Sequence, residues 1–160
     1  MLRLEKITHK NVWEILKLRV REDQKSFVAD NDISIIEAYT SITAGGHTFP
    51  FGIYNDRTPV GFLMIGFDTD ESWENPPAIA VKNYNLWRLM IDRNYQKKGC
   101  GRIAVQLALD FVRSFPCGPA EYCWLSYEPD NTVAKNLYHS FGFRETGAMD
   151  GEEIIAALKL

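Results

Sequence analysis

The sequence predicts a single mixed α/β domain, with a central sheet covered by helices. Alternating apolar residues and apolar residues at helical spacing follow one another along the chain, which favours strands interleaved with helices. The chain has 160 residues, enough to bury one substantial core. Its 46% hydrophobic and 24% charged residues are typical of a soluble globular protein. No linker or internal repeat divides it, so residues 1–160 are expected to form one domain.

The first half of the chain is expected to supply three strands and two helices. Strands are predicted over 2–7, 49–54 and 59–67, and helices over 12–20 and 33–45. The second and third strands form a hairpin around the polar turn at 55–58. Residues 68–80 contain four acidic residues and two prolines, a composition typical of a loop.

The second half is expected to complete the sheet with four further strands. These strands are predicted over 84–92, 121–127, 143–146 and 152–160, with helices over 99–114 and about 131–140. In the first of these helices, Ile103, Leu107 and Phe111 form a stripe that is expected to face the sheet. The resulting order, β-α-α-β-β-β-α-β-α-β-β, indicates a mixed sheet with helices on its faces.

Charge and cysteine usage exclude several classes of function. A formal net charge of −3 disfavours general nucleic-acid binding, which needs a basic surface. The three cysteines lack metal-ligand spacing, so no metal is expected. Because no apolar run approaches the roughly 18 residues of a membrane helix and the first residues are charged, we expect a cytoplasmic protein with free thiols and no membrane partner.

The most informative segment is Gln96–Arg102, where a strand pattern changes to a helix pattern. Gly99 and Gly101 carry no side chain and therefore allow close approach of a ligand to the backbone. The free N–H groups and the dipole of a helix N-terminus favour an anion. Positive charge is added around this loop by Lys97, Lys98 and Arg102. Neither the Walker pattern nor the three-glycine dinucleotide pattern is present, and Gly-x-Gly alone also fits a plain helix cap.

Two motifs together help to decide between an anion site and a plain helix cap. Gln96-x-x-Gly99-x-Gly101 follows a strand that ends in Met90-Ile91-Asp92, and about 35 residues downstream comes Asn131-x-x-Ala134-x-x-Leu137-Tyr138-x-x-Phe141-Gly142-Phe143. The pair resembles the two signatures of the GNAT N-acetyltransferases, and the element order extends the resemblance over the whole chain. The resemblance implies the GNAT fold: a mostly antiparallel, seven-stranded mixed sheet whose fourth and fifth strands splay to form the cofactor cleft. Residues 124–127 would then lie across from 89–91.

The resemblance also implies acetyl-coenzyme A as cosubstrate and a set of cofactor-binding residues. The end of the fourth strand would pair with the pantetheine arm, and the glycine loop would cradle the pyrophosphate. The implied set is Leu89, Met90, Ile91, Gln96, Lys97, Lys98, Gly99, Cys100, Gly101, Arg102, Asn131, Lys135 and Tyr138. Asn131 would contact pantetheine but is equally suited to be a helix cap.

Tyr138 is the predicted catalytic residue, since the resemblance places it near the thioester sulfur. A tyrosine, with an ordinary pKa near 10, can donate a proton to a departing thiolate. The amine would attack the thioester directly in a ternary complex, so no acyl-enzyme is needed. Cys100 is a poor candidate for a nucleophile, because no base is assigned to it. The other interpretation of Tyr138 is a core aromatic that packs with Phe141 and Phe143.

The resemblance to the GNAT family implies a primary amine as acceptor, and a looser resemblance suggests which one. Arg88-x-x-Ile91-Asp92-x-x-Tyr95-Gln96 and the tail Asp150-Gly151-Glu152 resemble bacterial spermine/spermidine (diamine) acetyltransferases, which implies a polyamine. Carboxylates beside aromatic rings suit spaced ammonium groups. The candidate acceptor residues are Glu71, Glu74, Tyr39, Trp73 and Tyr84, and the candidate bases are Glu71, Glu74 and Glu128.

Two alternative functions and one further partner stay open at this point. The acceptor could instead be an aminoglycoside, an amino acid or a protein amine. The chain could also be a sensor that binds acetyl-coenzyme A without turnover, although such a sensor would need only the phosphate loop. A homodimer that pairs the final strand, 152–160, is the further partner considered.

Overall fold

A computed structural model describes residues 1–160 and contains one seven-stranded sheet in the order β1-β2-β3-β4-β5-β7-β6. The strands are β1 Leu2–Lys6, β2 His47–Asn55, β3 Thr58–Phe67, β4 Tyr84–Ile91, β5 Tyr122–Tyr127, β6 Arg144–Asp150 and β7 Glu153–Lys159. The helices are α1 Val12–Ile15, α2 Asn31–Thr43, α3 Cys100–Arg113 and α4 Thr132–Ser140. All neighbouring strands pair antiparallel except β4 and β5, which are parallel. The predicted mixed, mostly antiparallel sheet is confirmed.

The two parallel strands separate soon after they meet. β4 pairs with β5 only at Tyr84–Cys123 and Asn85–Trp124, so the rest of each strand has a free edge. The register between β3 and β4 shifts at Trp87, which is the extra residue of a β-bulge. A bulge bends its strand and increases the local twist. It lies just beyond the last β4–β5 pair, and the predicted splay between the fourth and fifth strands is therefore present.

Two apolar cores lie on opposite faces of the sheet. The larger is formed with α3 and α4, and the smaller with the segment around α1 and α2. The buried face of α3 consists of Ala104, Val105, Ala108, Leu109 and Val112. Ile103 is 46% exposed, so the predicted stripe was wrong at its first residue. The small alanines, rather than the bulky Ile103, face the sheet and let the helix pack closely against it.

Two predicted boundaries differ from the structure for identifiable reasons. The helix expected over 12–20 is only the turn Val12–Ile15. Arg19 donates its N–H to the Asp92 carboxylate at 2.9 Å and accepts from the N–H of Arg93 at 2.8 Å, and these tertiary bonds use the groups that a helix would need. The sixth strand reaches Asp150 instead of ending at 146, because Gly147, with φ +85°, accommodates an irregularity in its pairing with β7. None of the helices is long and apolar enough to cross a membrane.

Candidate active site

A cavity of about 1040 Å³ opens where β4 and β5 separate. One end is bounded by the glycine loop and α4, and the other by α2, the loop after β3 and the β6–β7 turn. Residues 20–29 cover it from the side. The two ends are called here the donor end and the acceptor end, after the roles that the sequence predicts for them.

The donor end is built from backbone groups. No backbone N–H from Gln96 to Arg102 lies within normal hydrogen-bond geometry of an acceptor in the chain. Lys97 and Gly99 have φ of +59° and +79°, in the left-handed region, and α3 begins at the next residue, Cys100. Unpaired N–H groups at a helix N-terminus, with the positive end of the dipole, form an anion site. This loop has the geometry expected of a phosphate cradle.

Buried polar groups hold this loop in place. Asp92, which is 5% exposed, accepts from the N–H of Arg19 at 2.9 Å and from that of Asn94 at 3.0 Å. The Gln96 amide donates to Gln24 at 2.7 Å and to the Ile91 carbonyl at 3.0 Å. The predicted site residue Gln96 therefore fixes the loop as well as lining the cavity. The role of Asp92 in holding the loop was missed, since one of its two partners, Arg19, is distant in sequence.

The predicted basic residues of the donor end differ in where they point. Lys97 lines the cavity and has no ion-pair partner. Lys98 donates to the Asn94 carbonyl at 2.9 Å, and Arg102 donates to Ser140 at 3.0 Å while lying over the Phe141 ring. Lys135 is ion-paired with Glu145 at 2.7 Å. Of the thirteen predicted cofactor residues, those outside the cavity wall are Lys98, Gly99, Cys100, Arg102 and Lys135.

The remaining predicted cofactor residues line the cavity together. Leu89, Met90 and Ile91 lie on the part of β4 that β5 does not pair, which leaves one edge free for a ligand. Gly101 also lines the cavity, and a Cβ built there would lie 3.7 Å from Leu137. The Asn131 side chain caps α4 by accepting from the Ala134 N–H at 3.3 Å, and it also faces the cavity. Both interpretations of Asn131 fit its position.

Tyr138 lies between the core and the cavity. It is 9% exposed and lines the cavity while stacking on Tyr127 with ring centroids 6.3 Å apart. Its ring meets Phe143 edge-on at 5.9 Å, so it is also a core aromatic. Burial first, and the nearby Cys123 thiol second, raise the pKa of Tyr138 above its ordinary value. The phenol therefore stays protonated at neutral pH and remains a proton donor.

The predicted acceptor residues are mostly separated from the cavity. Trp73 lines it and stacks on Trp124 with centroids 6.2 Å apart. Glu71, Glu74 and the candidate base Glu128 do not line it, and Tyr39 is 69% exposed. Tyr84 is fully buried, and its hydroxyl donates to the Gly118 carbonyl and accepts from the Cys117 N–H, both at 2.9 Å. The prediction that Tyr84 contacts the acceptor conflicts with this position, because the side chain is fixed inside the core.

The loop after β3 does contribute Asp68 and Asp70 to the cavity wall, and the other carboxylates of the acceptor end come from elsewhere in the chain. Glu37 of α2 forms an ion pair with Arg88 of β4 at 2.8 Å. Glu153 accepts from the Ser126 hydroxyl at 2.9 Å, and Asp150 lies on the other side of the β6–β7 turn. Burial raises the pKa of both Asp150 and Glu153. The sequence signal was the acidic pattern around Gly151, whose proximity to the cavity only the fold shows.

Comparison with known proteins identifies the family. The model of the Acetyltransferase (GNAT) family matches residues 9–143. The chain belongs to the GNAT family. It is 28% identical, over 96% of both chains, to a "Probable spermine N(1)-acetyltransferase" of Bacillus subtilis subsp. natto and to a "Spermine/spermidine N(1)-acetyltransferase" of Bacillus subtilis. The family predicted from the two motifs is thereby confirmed.

Solved structures agree with this GNAT assignment at the level of the fold. Aminoglycoside acetyltransferase AAC(6')-Ib in complex with coenzyme A superposes with a TM-score of 0.76 at 14% identity, covering 99% of this chain and 95% of the other. The predicted cosubstrate, acetyl-coenzyme A, is consistent with the GNAT family and with this neighbour.

Proposed function

We propose that this GNAT enzyme transfers the acetyl group of acetyl-coenzyme A to a primary amine of a polyamine such as spermine or spermidine. The observation that carries the proposal is that one cavity combines the free edge of β4, an anion loop and Tyr138. An elongated thioester with a diphosphate fits such a cavity from the loop to the fork between β4 and β5.

Coenzyme A binding at the donor end is supported by the chemistry of the groups there. The N–H groups of Gln96–Arg102 suit a pyrophosphate, and Lys97 adds a positive charge that is not already paired. The unpaired edge at Leu89–Ile91 suits the amides of a pantetheine arm, which extend a sheet edge by hydrogen bonds. Asn131 offers its amide from the opposite wall.

The proposed reaction is direct transfer within a ternary complex. The neutral amine nitrogen attacks the acetyl carbonyl carbon, the new C–N bond forms, and the C–S bond breaks. The amine gives up a proton to solvent, and Tyr138 donates its phenolic proton to the departing sulfur and recovers one from solvent. Holding amine and thioester together removes the entropy of encounter, which supplies much of the acceleration.

A polyamine acceptor is supported by the charge of the acceptor end and by the relatives. The cavity wall there carries five carboxylates against one guanidinium, that of Arg88. The carboxylates are those of Glu37, Asp68, Asp70, Asp150 and Glu153. Aromatic walls are provided by Trp73 and Trp87. Flexible cations with spaced ammonium groups suit such a site. The two curated relatives named for spermine or spermidine point the same way.

Thiol release with a panel of amines tests the proposal. The purified chain is incubated with acetyl-coenzyme A and spermidine, spermine, kanamycin, free lysine or a lysine peptide. We expect the highest kcat/KM with a polyamine. A higher kcat/KM with kanamycin, lysine or the peptide would replace the acceptor. Tight coenzyme A binding without thiol release for any amine would support a non-catalytic sensor.

A further inference from the structure

We propose that Asp150 and Glu153, on the two sides of the β6–β7 turn, together bind a non-reacting ammonium group of the acceptor. The inference rests on the proposed function and deepens it by naming residues that select a polyamine over a monoamine. The two carboxylates would hold the distal end of the acceptor while its primary amine meets the thioester.

The turn places both carboxylates on one face of the sheet. Asp150 and Glu153 are paired directly across β6 and β7, and the chain reverses through Gly151, with φ +59°, and Glu152. Residues opposite each other in an antiparallel pair project to the same face, and both of these line the cavity. Like charges in this arrangement destabilise a hairpin, so the pair conflicts locally with folding. Such conflicts are expected at functional sites.

The pair lies in the same cavity as Tyr138. The Ser126 hydroxyl donates to Glu153 at 2.9 Å, and Ser126 is on β5 beyond the point where β5 leaves β4. The next residue of β5, Tyr127, projects to the opposite face of the sheet and stacks on Tyr138 there. An acceptor with one ammonium group beside Glu153 would therefore extend its primary amine through the fork between β4 and β5 toward Tyr138.

No cation of the chain forms an ion pair with either carboxylate, and Arg88, which is paired with Glu37, stabilises the Glu153 charge only partly, from a greater distance. Among the basic residues of the cavity wall, Arg88 is paired with Glu37, and Arg21 with Asp23. Lys25 is paired with Glu22, and Lys97 belongs to the glycine loop at the donor end. Asp150 and Glu153 take part in no ion pair, and each is only partly exposed. An ammonium group supplied by the ligand provides the missing positive charge.

The experiment compares two amines in three variants. The acceptors are spermidine and n-butylamine, which has a primary amine and no second charge. The variants are Glu153→Gln, Asp150→Asn and, as a matched control, Glu152→Gln, because Glu152 is exposed in the same turn. A glutamine at 153 still accepts from Ser126, so the substitution removes the charge and keeps the hydrogen bond. KM and kcat are measured for each amine, with the Kd of coenzyme A.

We expect Glu153→Gln to raise the KM for spermidine at least tenfold, with kcat within threefold of wild type. Asp150→Asn should raise it several-fold. The KM for n-butylamine, the Kd of coenzyme A and all parameters of Glu152→Gln should stay within twofold of wild type. This selectivity between amines is the signature of a binding role, since a purely structural change would affect both amines.

Two results overturn the inference while the proposed function stands. One is an unchanged spermidine KM in both Glu153→Gln and Asp150→Asn, and the other is an equal rise for both amines. Failure of the proposed function looks different, because wild type itself then shows no thiol release with spermidine. Isothermal titration of wild type with spermidine and coenzyme A distinguishes loss of binding from loss of turnover.

Discussion

The donor end and the acceptor end of the cavity are built in different ways. The donor end consists of backbone groups from one continuous loop, the N–H groups of Gln96–Arg102, and of the free edge of β4. The acceptor end consists of side chains, with Glu37, Arg88 and Glu153 contributed by α2, β4 and β7. Recognition by backbone is encoded locally, whereas recognition by side chains depends on which elements the fold brings together.

The two ends also differ in charge. At the donor end, Lys97 and the N-terminus of α3 present unpaired positive charge. At the acceptor end, Asp150 and Glu153 present carboxylates that take part in no ion pair. The two proposed ligands, one with a diphosphate and one with several ammonium groups, would thus be directed to opposite ends. The fork between β4 and β5, with Tyr138 beside it, lies between them.

Tyr138→Phe tests the point where the two ends meet, and it should have the largest effect. Phenylalanine keeps the stacking on Tyr127 and removes only the proton donor. We expect kcat to fall about 100-fold or more, the usual size of a general acid's contribution, while the Kd of coenzyme A changes less than twofold. Steady-state thiol release and isothermal titration measure these quantities. Activity close to wild type would remove Tyr138 from the reaction.

Gly101→Ala tests whether a ligand touches the backbone of the donor end. The space around Gly101 accepts a methyl group, and alanine favours a helix by about 0.5–1 kcal/mol over glycine. We expect an unchanged or higher Tm together with a Kd for coenzyme A at least tenfold weaker.

Gly99→Ala changes the other glycine of the same loop and is compared with Gly101→Ala. Its φ of +79° is strained for alanine, at a cost of about 1–2 kcal/mol. It should therefore lower both Tm and coenzyme A affinity. Unchanged affinity in Gly101→Ala would contradict close approach of the pyrophosphate.

The next comparison tests whether Lys97, the lysine that lines the cavity, contributes more to coenzyme A binding than lysines bonded elsewhere. It uses the variants Lys97→Ala, Lys98→Ala and Lys135→Ala. We expect Lys97→Ala to weaken coenzyme A binding about fivefold, in line with about 1 kcal/mol for an exposed charge pair. The loss of affinity should be smaller at high salt, because salt screens the interaction of exposed charges. The other two should change the Kd less than twofold, since Lys98 and Lys135 are bonded to Asn94 and Glu145. Titration at two ionic strengths measures this, and equal effects of all three would contradict the assignment.

The smallest expected effect concerns stability at the acceptor end. Burial raises the pKa of Glu153 in the folded chain above its unfolded value of about 4.3. The folded state thus holds the proton more tightly, and this contribution to stability is present below the unfolded pKa and lost as pH rises through the folded pKa.

Glu153→Gln should consequently have a Tm equal to or slightly higher than wild type at pH 7, and the difference should vanish near pH 3. Thermal unfolding of both proteins across this range measures it. A Tm of Glu153→Gln clearly below wild type at pH 7 would mean that the carboxylate serves the fold rather than a ligand.

The sequence predicted the sheet and the position of the glycine loop, but it did not indicate most of the side chains that line the acceptor end. All seven strands and the glycine loop follow from alternation and glycine spacing, which act over a few residues. Trp73 lines the cavity, and its contact with the acceptor stays a prediction. Tyr84 lies in the core instead, because strand alternation alone does not tell which face of β4 is covered by the core. The pairing of Arg19 with Asp92 and Arg93 likewise shortened a helix that local pattern favours.

By itself, the sequence determined the family, the order of the elements and the position of the glycine loop between β4 and α3. Each of these depends on neighbours in the chain, since Gly99 permits a φ of +79° between a strand that precedes it and a helix that follows it. Only the tertiary structure decided that Asp150 and Glu153, rather than Glu71 and Glu74, line the cavity. The physical reason is that charge in a pocket is set by the faces of distant strands that pack together, and no local pattern encodes that.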